Sequence, residues 1–402
     1  MMGSSDSPMA LDGLVVLDLS RILAGPTATQ MLGDLGALVI KVENPRTGGD
    51  DTRSWGPHYA RNEDGSASDL SAYFMAANRN KRSISVDLSS DEGQRTVREL
   101  AARADVVIEN YKPGGLVKYG LDHATLLAAH PGLVYCSISG FGQTGPNSAQ
   151  PGYDLMAQGF GGIMSLTGQP DGPPNKVGVG IADVMCGMYA TIGILAALRH
   201  RDQTGHGQHI DLALVDSQMA WLINEGTNFL TSGQVPERRG NAHPNIVPYD
   251  AFACADGHVL LAVGNDAQFA RLCDAFGLAD LAASDDYRTN LARIENRVAL
   301  TAAIAEALTD VPAAEVLARC HAVKVPAGPI HTVDAALRSD QAQARDAVVT
   351  VPAEGIRDGA VQLLGNPLKF SRTPVRYRHA PPRFGQDTDK IAEILEHLAK
   401  RD

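Results

Sequence analysis

The first third of the chain alternates short, unbroken apolar runs with stretches of helical spacing. Leu14-Val15-Val16-Leu17-Asp18-Leu19 has no polar alternation, the pattern of a strand buried on both faces. Pro26 suits the first turn of a helix that runs to about Leu35 and stops at Gly36; Leu38–Glu43 is a second strand. Strand, helix and strand in this order form a β-α-β unit, which predicts a parallel α/β sheet. The alternation continues with strand Ile84–Leu88, helix Asp91–Ala104 and strands Val106–Glu109 and Leu133–Ile138. An apolar helix from about Val184 to Leu198, ending near Arg201, precedes strand His209–Val215 and helix Asp216–Phe229. The pattern then changes. Tyr249–Cys254 and His258–Val263 pair as a hairpin across Ala255-Asp256-Gly257, and helices follow over about Ala267–Phe276, Ile294–Leu308 and Ala313–His321. Residues 225–325 therefore read as a smaller α+β domain, with Pro326–Pro329 as a connector. Val348–Val351 and Val361–Leu364 read as strands, and a helix from about Asp387 to Lys400 closes the chain.

Composition narrows the function classes. With 402 residues, 44% of them hydrophobic, the chain can bury a large core and fill two or three domains. A net charge of −11 argues against nucleic acid or an anionic membrane surface as a partner, while leaving room for a local basic pocket. Five scattered cysteines without a C-x-x-C pair give neither metal nor disulfide spacing, so a reducing cytoplasm is expected. No apolar run reads as a membrane span, and residues 1–10 read as a disordered lead-in without a signal peptide's apolar stretch.

Candidate chemistry sits in loops and at helix starts. In Gly178-Val179-Gly180-Ile181-Ala182-Asp183 a carboxylate stands where an apolar helix begins. Asp183 reads first as an N-cap. Its second reading is a nucleophile, because the glycines admit a second molecule and no Lys or Arg stands nearby in sequence. Asn78-Arg79-Asn80-Lys81-Arg82-Ser83 is either a solvated turn or an anion site. The first β-α turn offers Ala24-Gly25-Pro26 instead of G-x-G-x-x-G, which disfavours NAD; Gly140-Phe141-Gly142-Gln143-Thr144-Gly145 has the glycines but is followed by prolines, not a helix. The loops after Asp18, Glu109 and Ser139 are expected to share one crevice beyond the strand ends.

These loops carry a resemblance. Leu11-Asp12-Gly13, Ala24-Gly25-Pro26, Asn80-Lys81-Arg82-Ser83, Glu109-Asn110-Tyr111-Lys112-Pro113-Gly114, Gly140-Phe141-Gly142, Gly205-His206-Gly207-Gln208 and Gly385-Gln386-Asp387-Thr388-Asp389 resemble the family III CoA-transferases, the CaiB/BaiF family, from Leu11 to the C-terminus. The resemblance implies an α/β fold with a large Rossmann-like domain from both chain ends (11–200 and 330–402), a linker over 201–224 and the small domain at 225–325. It also implies a homodimer of interlocked chains. It implies Asp183 as the nucleophile, forming a mixed anhydride and then an aspartyl-CoA thioester, with Gly140 and Gly240-Asn241-Ala242 as oxyanion candidates. Ile22, Leu23 and Ala24 are implied along the pantetheine and Val86 near the adenine. Asn110, Tyr111, Lys112, Lys118 and the cation of Arg82 are implied at the nucleotide, and Arg46 stands in for an Arg that this chain replaces with Asn44. No tightly bound cofactor is expected; coenzyme A is a substrate.

Within the family the chain is most similar to the succinyl-CoA:glutarate enzymes, in Asp50-Asp51-Thr52-Arg53-Ser54-Trp55-Gly56-Pro57, in Tyr135–Ile138 and around Ala242-His243. A dicarboxylate acceptor needs an anchor for its second carboxylate; Arg53, Arg238, Arg239 and His243 are the candidates. Two alternatives share the fold. A 2-methylacyl-CoA racemase places a His where this chain has Tyr153, in Gly152-Tyr153-Asp154, and a phenol replaces imidazole poorly near neutral pH. A formyl-CoA- or carnitine-type transferase is disfavoured by Leu23 and by His243-Pro244-Asn245.

Overall fold

The computed structural model describes residues 8–400. Residues 1–7 of the expected lead-in lie outside them, but Met9 is buried and its N–H donates to Asp12 Oδ2 at 2.5 Å. The chain divides into two compact units. One comprises the residues up to Ile163, Lys176–Leu222 and the residues from Asp340 on; the other comprises Met164–Asn175 and Ile223–Ser339.

The first unit is built on a six-stranded, all-parallel sheet. Its strands lie in the order Lys81–Ser85, Leu38–Glu43, Val15–Asp18, Val106–Glu109, Val134–Ser139, His209–Ala213. Numbered within the sheet this is 3-2-1-4-5-6, the doubly wound order. The order reverses between Val15–Asp18 and Val106–Glu109, so the loops leaving these two strands part in opposite directions and open a crevice. One face buries Val16, Val39 and Ile108 against helices Ala24–Asp34 and Ile181–Thr204; the other buries Leu17, Ile40 and Val107 against Val97, Leu100 and the final helix Ile391–Ala399.

Helix Ile181–Thr204 is longer at both ends than its sequence pattern predicts, and it stops where Gly205 turns left-handed at φ 77. By length and composition it is apolar enough to cross a membrane, contrary to the expectation. Its buried residues Ala182, Cys186, Ala190, Ile194 and Ala197 recur at helical spacing and join the core, which accounts for its apolar character. Helix Ala24–Asp34 approaches it closely: a Cβ on Gly187 would lie 2.6 Å from the carbonyl oxygen of Ala24.

Three expectations change here. The strand expected over Ile84–Leu88 runs over Lys81–Ser85, because buried partners satisfy its polar side chains: Lys81 Nζ reaches Asp18 and Ser83 Oγ donates to Glu43. His209–Ala213, expected inside a linker over 201–224, is the sixth strand of the sheet. The helix expected over Asp216–Phe229 is two, Leu214–Ala220 and Ile223–Ser232, broken where Ile223 takes φ 41.

The second unit is α+β. Tyr249–Cys254 and Gly257–Ala262 form the expected hairpin. Ala327–Pro329, expected as a connector, adds a third antiparallel strand to it. Its core joins Phe252, Val259 and Leu261 to Phe269, Leu272, Leu300, Ile304, Leu308 and Val316 of the surrounding helices.

Candidate active site

A helix start leaves N–H groups without intrahelical acceptors. At helix Ile181–Thr204 the capping residue is Gly180, which has no side chain to offer. Asp154 supplies the missing acceptor: its Oδ1 takes the N–H of Ala182 at 2.8 Å and of Asp183 at 3.4 Å, and its Oδ2 takes Gln158 Nε2 at 2.7 Å. The capping role first read for Asp183 therefore belongs to Asp154. Asp183 lies in the first turn of the helix, 8% exposed, and among the described residues no donor reaches its carboxylate. Burial, with the Asp154 carboxylate adding to it, raises its pKa to about 7. A buried, unpaired carboxylate of raised basicity is a costly arrangement for a fold and a useful one for a nucleophile.

Asp183 lines a cleft of about 430 Å³ at the switch point of the sheet. The loop after the first strand forms one wall, with Ile22, Leu23 and Ala24 on the cleft. Ile22 sits at φ 73, a left-handed conformation that costs a β-branched residue on the order of 1–3 kcal/mol. Leu23 reaches toward the Asp183 helix, so that a Cβ on Gly180 would lie 3.0 Å from Leu23 Cδ2. The loop after Val106–Glu109 forms a second wall with Asn110, Tyr111 and Lys112. Asn110 joins the two walls, since its Oδ1 accepts from Arg21 N–H at 2.9 Å and its Nδ2 donates to Arg21 O at 2.7 Å. Glu109 Oε2 accepts from Tyr111 N–H at 2.7 Å, and burial raises this carboxyl to about 7 despite that bond and one from Ser137. Lys112 and Lys118 stand exposed on the cleft and can meet phosphate. The floor continues through Gly140 and Tyr153. A Cβ on Gly140 would lie 2.4 Å from Gly152 Cα, so two loops touch backbone to backbone there.

Other expected site residues lie elsewhere. Val86 is buried, and Arg46, largely exposed, pairs with Asp87 at 2.9 Å; neither is on the cleft. Arg82 lines a separate cavity with Arg378 and Lys390 and pairs with Asp387 at 3.3 Å, because neighbouring strand residues point to opposite faces and Lys81 takes the face toward Asp18. Arg53 is 5% exposed and fully engaged: Glu43 takes it at 2.6 and 2.8 Å, Asp69 at 2.9 Å, and its guanidinium stacks on Phe74. It is a core cation, not an anchor at a cleft mouth.

Arg238, Arg239 and His243 belong to the second unit. Arg238 donates to the carbonyls of Gln169 and Gly172, and His243 Nδ1 accepts from Asn245 N–H. Arg239 meets only Glu225 at 3.4 Å and the Glu237 carbonyl at 3.2 Å through one nitrogen, Nη1; among the described residues its other two donate to nothing. Sequence reasoning missed Asp154 and Asp50 as builders of the site. The turn signature Asp50-Asp51-Thr52 was visible, since Asp50 accepts from Thr52 N–H, but its long-range partners were not.

The parallel sheet thus carries a cleft at its switch point, with two exposed lysines on it and the unpaired Asp183 carboxylate within it. The chain belongs to CoA-transferase family III, whose model matches residues 11–388. It is 47% identical over 392 residues to a succinate–glutarate CoA-transferase of Agrobacterium fabrum, covering 97% of this chain and 96% of that protein. It is 39% identical over 393 residues to the succinyl-CoA:glutarate CoA-transferase of Mus musculus, covering 98% and 88%. Its fold is similar to the crystal structure of a CaiB/BaiF family protein from Brucella suis, with TM-score 0.85, 47% identity and coverage of 96% and 100%.

Proposed function

We propose that this enzyme transfers CoA from succinyl-CoA to a C4–C6 dicarboxylate, with Asp183 as the covalent carrier. The observation that carries the reading is the unpaired, buried Asp183 carboxylate beside the Ile22–Ala24 and Asn110–Lys112 walls. Its oxygen attacks the thioester carbon; the C–S bond breaks, and a mixed anhydride and CoA thiolate result. The thiolate attacks the Asp183 acyl carbon, succinate leaves, and aspartyl-CoA remains. The acceptor carboxylate attacks that thioester, expelling thiolate and forming a second anhydride. The thiolate then takes the acceptor's acyl group and frees Asp183. No ATP is consumed, because one thioester replaces another.

Coenzyme A is substrate here, and no resident cofactor or metal enters the scheme. The acceptor's second carboxylate pairs with a cation, and Arg239, which engages only its Nη1 among the described residues, is the candidate with the most unfilled N–H groups on separate nitrogens. The relatives' names, which pair succinate with glutarate, support this acceptor class. We place the enzyme in the cytoplasm as a homodimer. Exposed Leu155, Phe160, Tyr189, Ile192 and Met219, on helices that pack together, support a covered face.

Trapping tests the carrier. Incubation with succinyl-CoA followed by hydroxylamine or borohydride is expected to modify Asp183 alone, and Asp183→Ala to abolish transfer; near-native turnover by that variant would refute the covalent route. The racemase alternative predicts deuterium at C2 of 2-methylacyl-CoA in heavy water, and none is expected with Tyr153 in place of the imidazole.

A further inference from the structure

One wall of the cleft is held in a conformation that its own sequence disfavours. Ile22, at φ 73, is β-branched, and the left-handed region crowds its Cβ. The surrounding bonds explain how it stays there. Both oxygens of Asp50 accept from the Ile22 N–H, at 3.2 and 3.3 Å. Lys41 Nζ donates to Asp50 Oδ2 at 2.8 Å and to the Ser20 carbonyl at 3.0 Å. A buried ion pair thus spans the turn, its acid on the N–H of one residue and its ammonium on the carbonyl two residues earlier. Thr52 N–H and Oγ1 fix the remaining face of Asp50, at 3.0 and 2.7 Å. Asp50 has side-chain exposure of 0% and Lys41 of 1%, so neither meets a ligand itself. Their reach is through the loop. The residue after Ile22 is Leu23, whose Cδ2 abuts Gly180, just ahead of the turn that carries Asp183.

We propose that Asp50 is a positioning residue for acyl-CoA: by holding the Ile22 N–H it keeps the turn left-handed, and so sets Leu23 against the start of the Asp183 helix. This rests on the reading of the cleft as the acyl-CoA site. A charged acceptor suits the task because a bond to an ionised group is stronger than a neutral one and can hold a disfavoured backbone.

The test is a double-mutant cycle on the full chain: wild type, Asp50→Asn, Ile22→Gly and the pair, each measured for CoA binding by calorimetry and for kcat and KM with succinyl-CoA. Glycine enters the left-handed region freely, so it removes the need for the clamp. Asp50→Asn is expected to raise the CoA Kd and the succinyl-CoA KM about tenfold when residue 22 is Ile, and less than twofold when it is Gly. Equal losses in both backgrounds, with CoA still bound by the wild type, overturn the proposal alone. A wild type that binds no CoA overturns the reading of the cleft and the proposal with it. A second comparison leaves Asp50 intact and so does not depend on how its variants fold. Asn tolerates the left-handed region and Thr, being β-branched, does not. Ile22→Asn is therefore expected to melt several degrees above Ile22→Thr, and the reverse order overturns the proposal.

Discussion

A carboxylate that no donor reaches is kept at a cost, and Asp183 shows how large that cost is. Burial, then the Asp154 carboxylate, moves its pKa from 3.8 to about 7. The folded state therefore holds this proton more tightly than the unfolded chain does. Stability from this group is complete below pH 3.8 and is lost as pH rises through about 7. The loss approaches on the order of 2–4 kcal/mol at pH 8. Asp183→Asn removes the penalty, so its gain in urea-unfolding free energy over wild type is expected to be small at pH 4.5 and largest at pH 8. A gain independent of pH would mean that the carboxylate is not destabilised. The same proton governs activity, since only the ionised acid attacks: kcat/KM is expected to fall about tenfold per pH unit below about 7. The glycines and apolar helix that flank Asp183 read first as the setting of an N-cap, and only the family resemblance put the nucleophile ahead; the cap is Asp154, whose partners lie 28 and 29 residues on in the chain. Arg53 was misread for a like reason. Its partner Asp69 is sixteen residues away and its partner Pro382 comes from the other end of the chain, so a buried cation looked like a loop cation. Among the acceptor candidates Arg238 gives two nitrogens, Nε and Nη2, to backbone carbonyls, whereas Arg239 engages only Nη1 among the described residues. Arg239→Met is expected to raise KM for glutarate at least tenfold and to change KM for a monoacid of equal length less than twofold. Equal shifts for both acids would exclude a charge-assisted anchor there.

Elements were legible where local pattern and burial agree. The runs Val15–Asp18, Leu38–Glu43 and Val106–Glu109 are mostly apolar and, apart from the half-buried Leu38, buried, and they stand where periodicity puts them. The pattern failed where tertiary partners override it. Lys81, on the edge strand of the sheet, has its side chain fully buried and held by Asp18, Asn78 and the Pro26 carbonyl, and no propensity rule places a lysine there. Helix Asp154–Phe160 was also missed; it is short and its Leu155, Met156 and Phe160 stay exposed, so it lacks an amphipathic signature. Glycines read as oxyanion donors gain a second explanation at this scale. Gly140 is required where its loop meets Gly152, and an added Cβ at 2.4 Å would meet backbone, which cannot rotate away. Gly140→Ala is expected to destabilise the fold by about 1–3 kcal/mol and to lower kcat/KM more than a hundredfold. Native stability and turnover in that variant would show that the loops part freely.

At the scale of the molecule, the doubly wound order fixes where the site is, since only one place in the sheet has its loops diverging, and Asp183, the Arg21 loop and the Asn110 loop meet there. Chain direction adds a constraint that no single element carries. The chain leaves the first unit after Ile163 and returns at Lys176, then leaves again after Leu222 and returns at Asp340, so each stretch of the second unit is an excursion closed at both ends by the first. Two chains whose excursions pass through one another cannot separate while both stay folded. Helices Asp154–Phe160, Ile181–Thr204 and Leu214–Ala220 expose Phe160, Ile192 and Met219, an apolar face that a second chain would cover. Sedimentation is accordingly expected to give a dimer, and Ile192→Glu, at a residue 61% exposed in the single chain, to cut its yield or solubility. Linking makes a sharper demand than association. When tagged and untagged dimers are mixed under native conditions, no mixed species is expected over days, because exchange requires one chain to unfold and rethread. After both are unfolded in denaturant and refolded together, mixed dimers are expected at the statistical one-half. Exchange within minutes in native buffer would leave an ordinary two-fold interface and exclude interlocked chains.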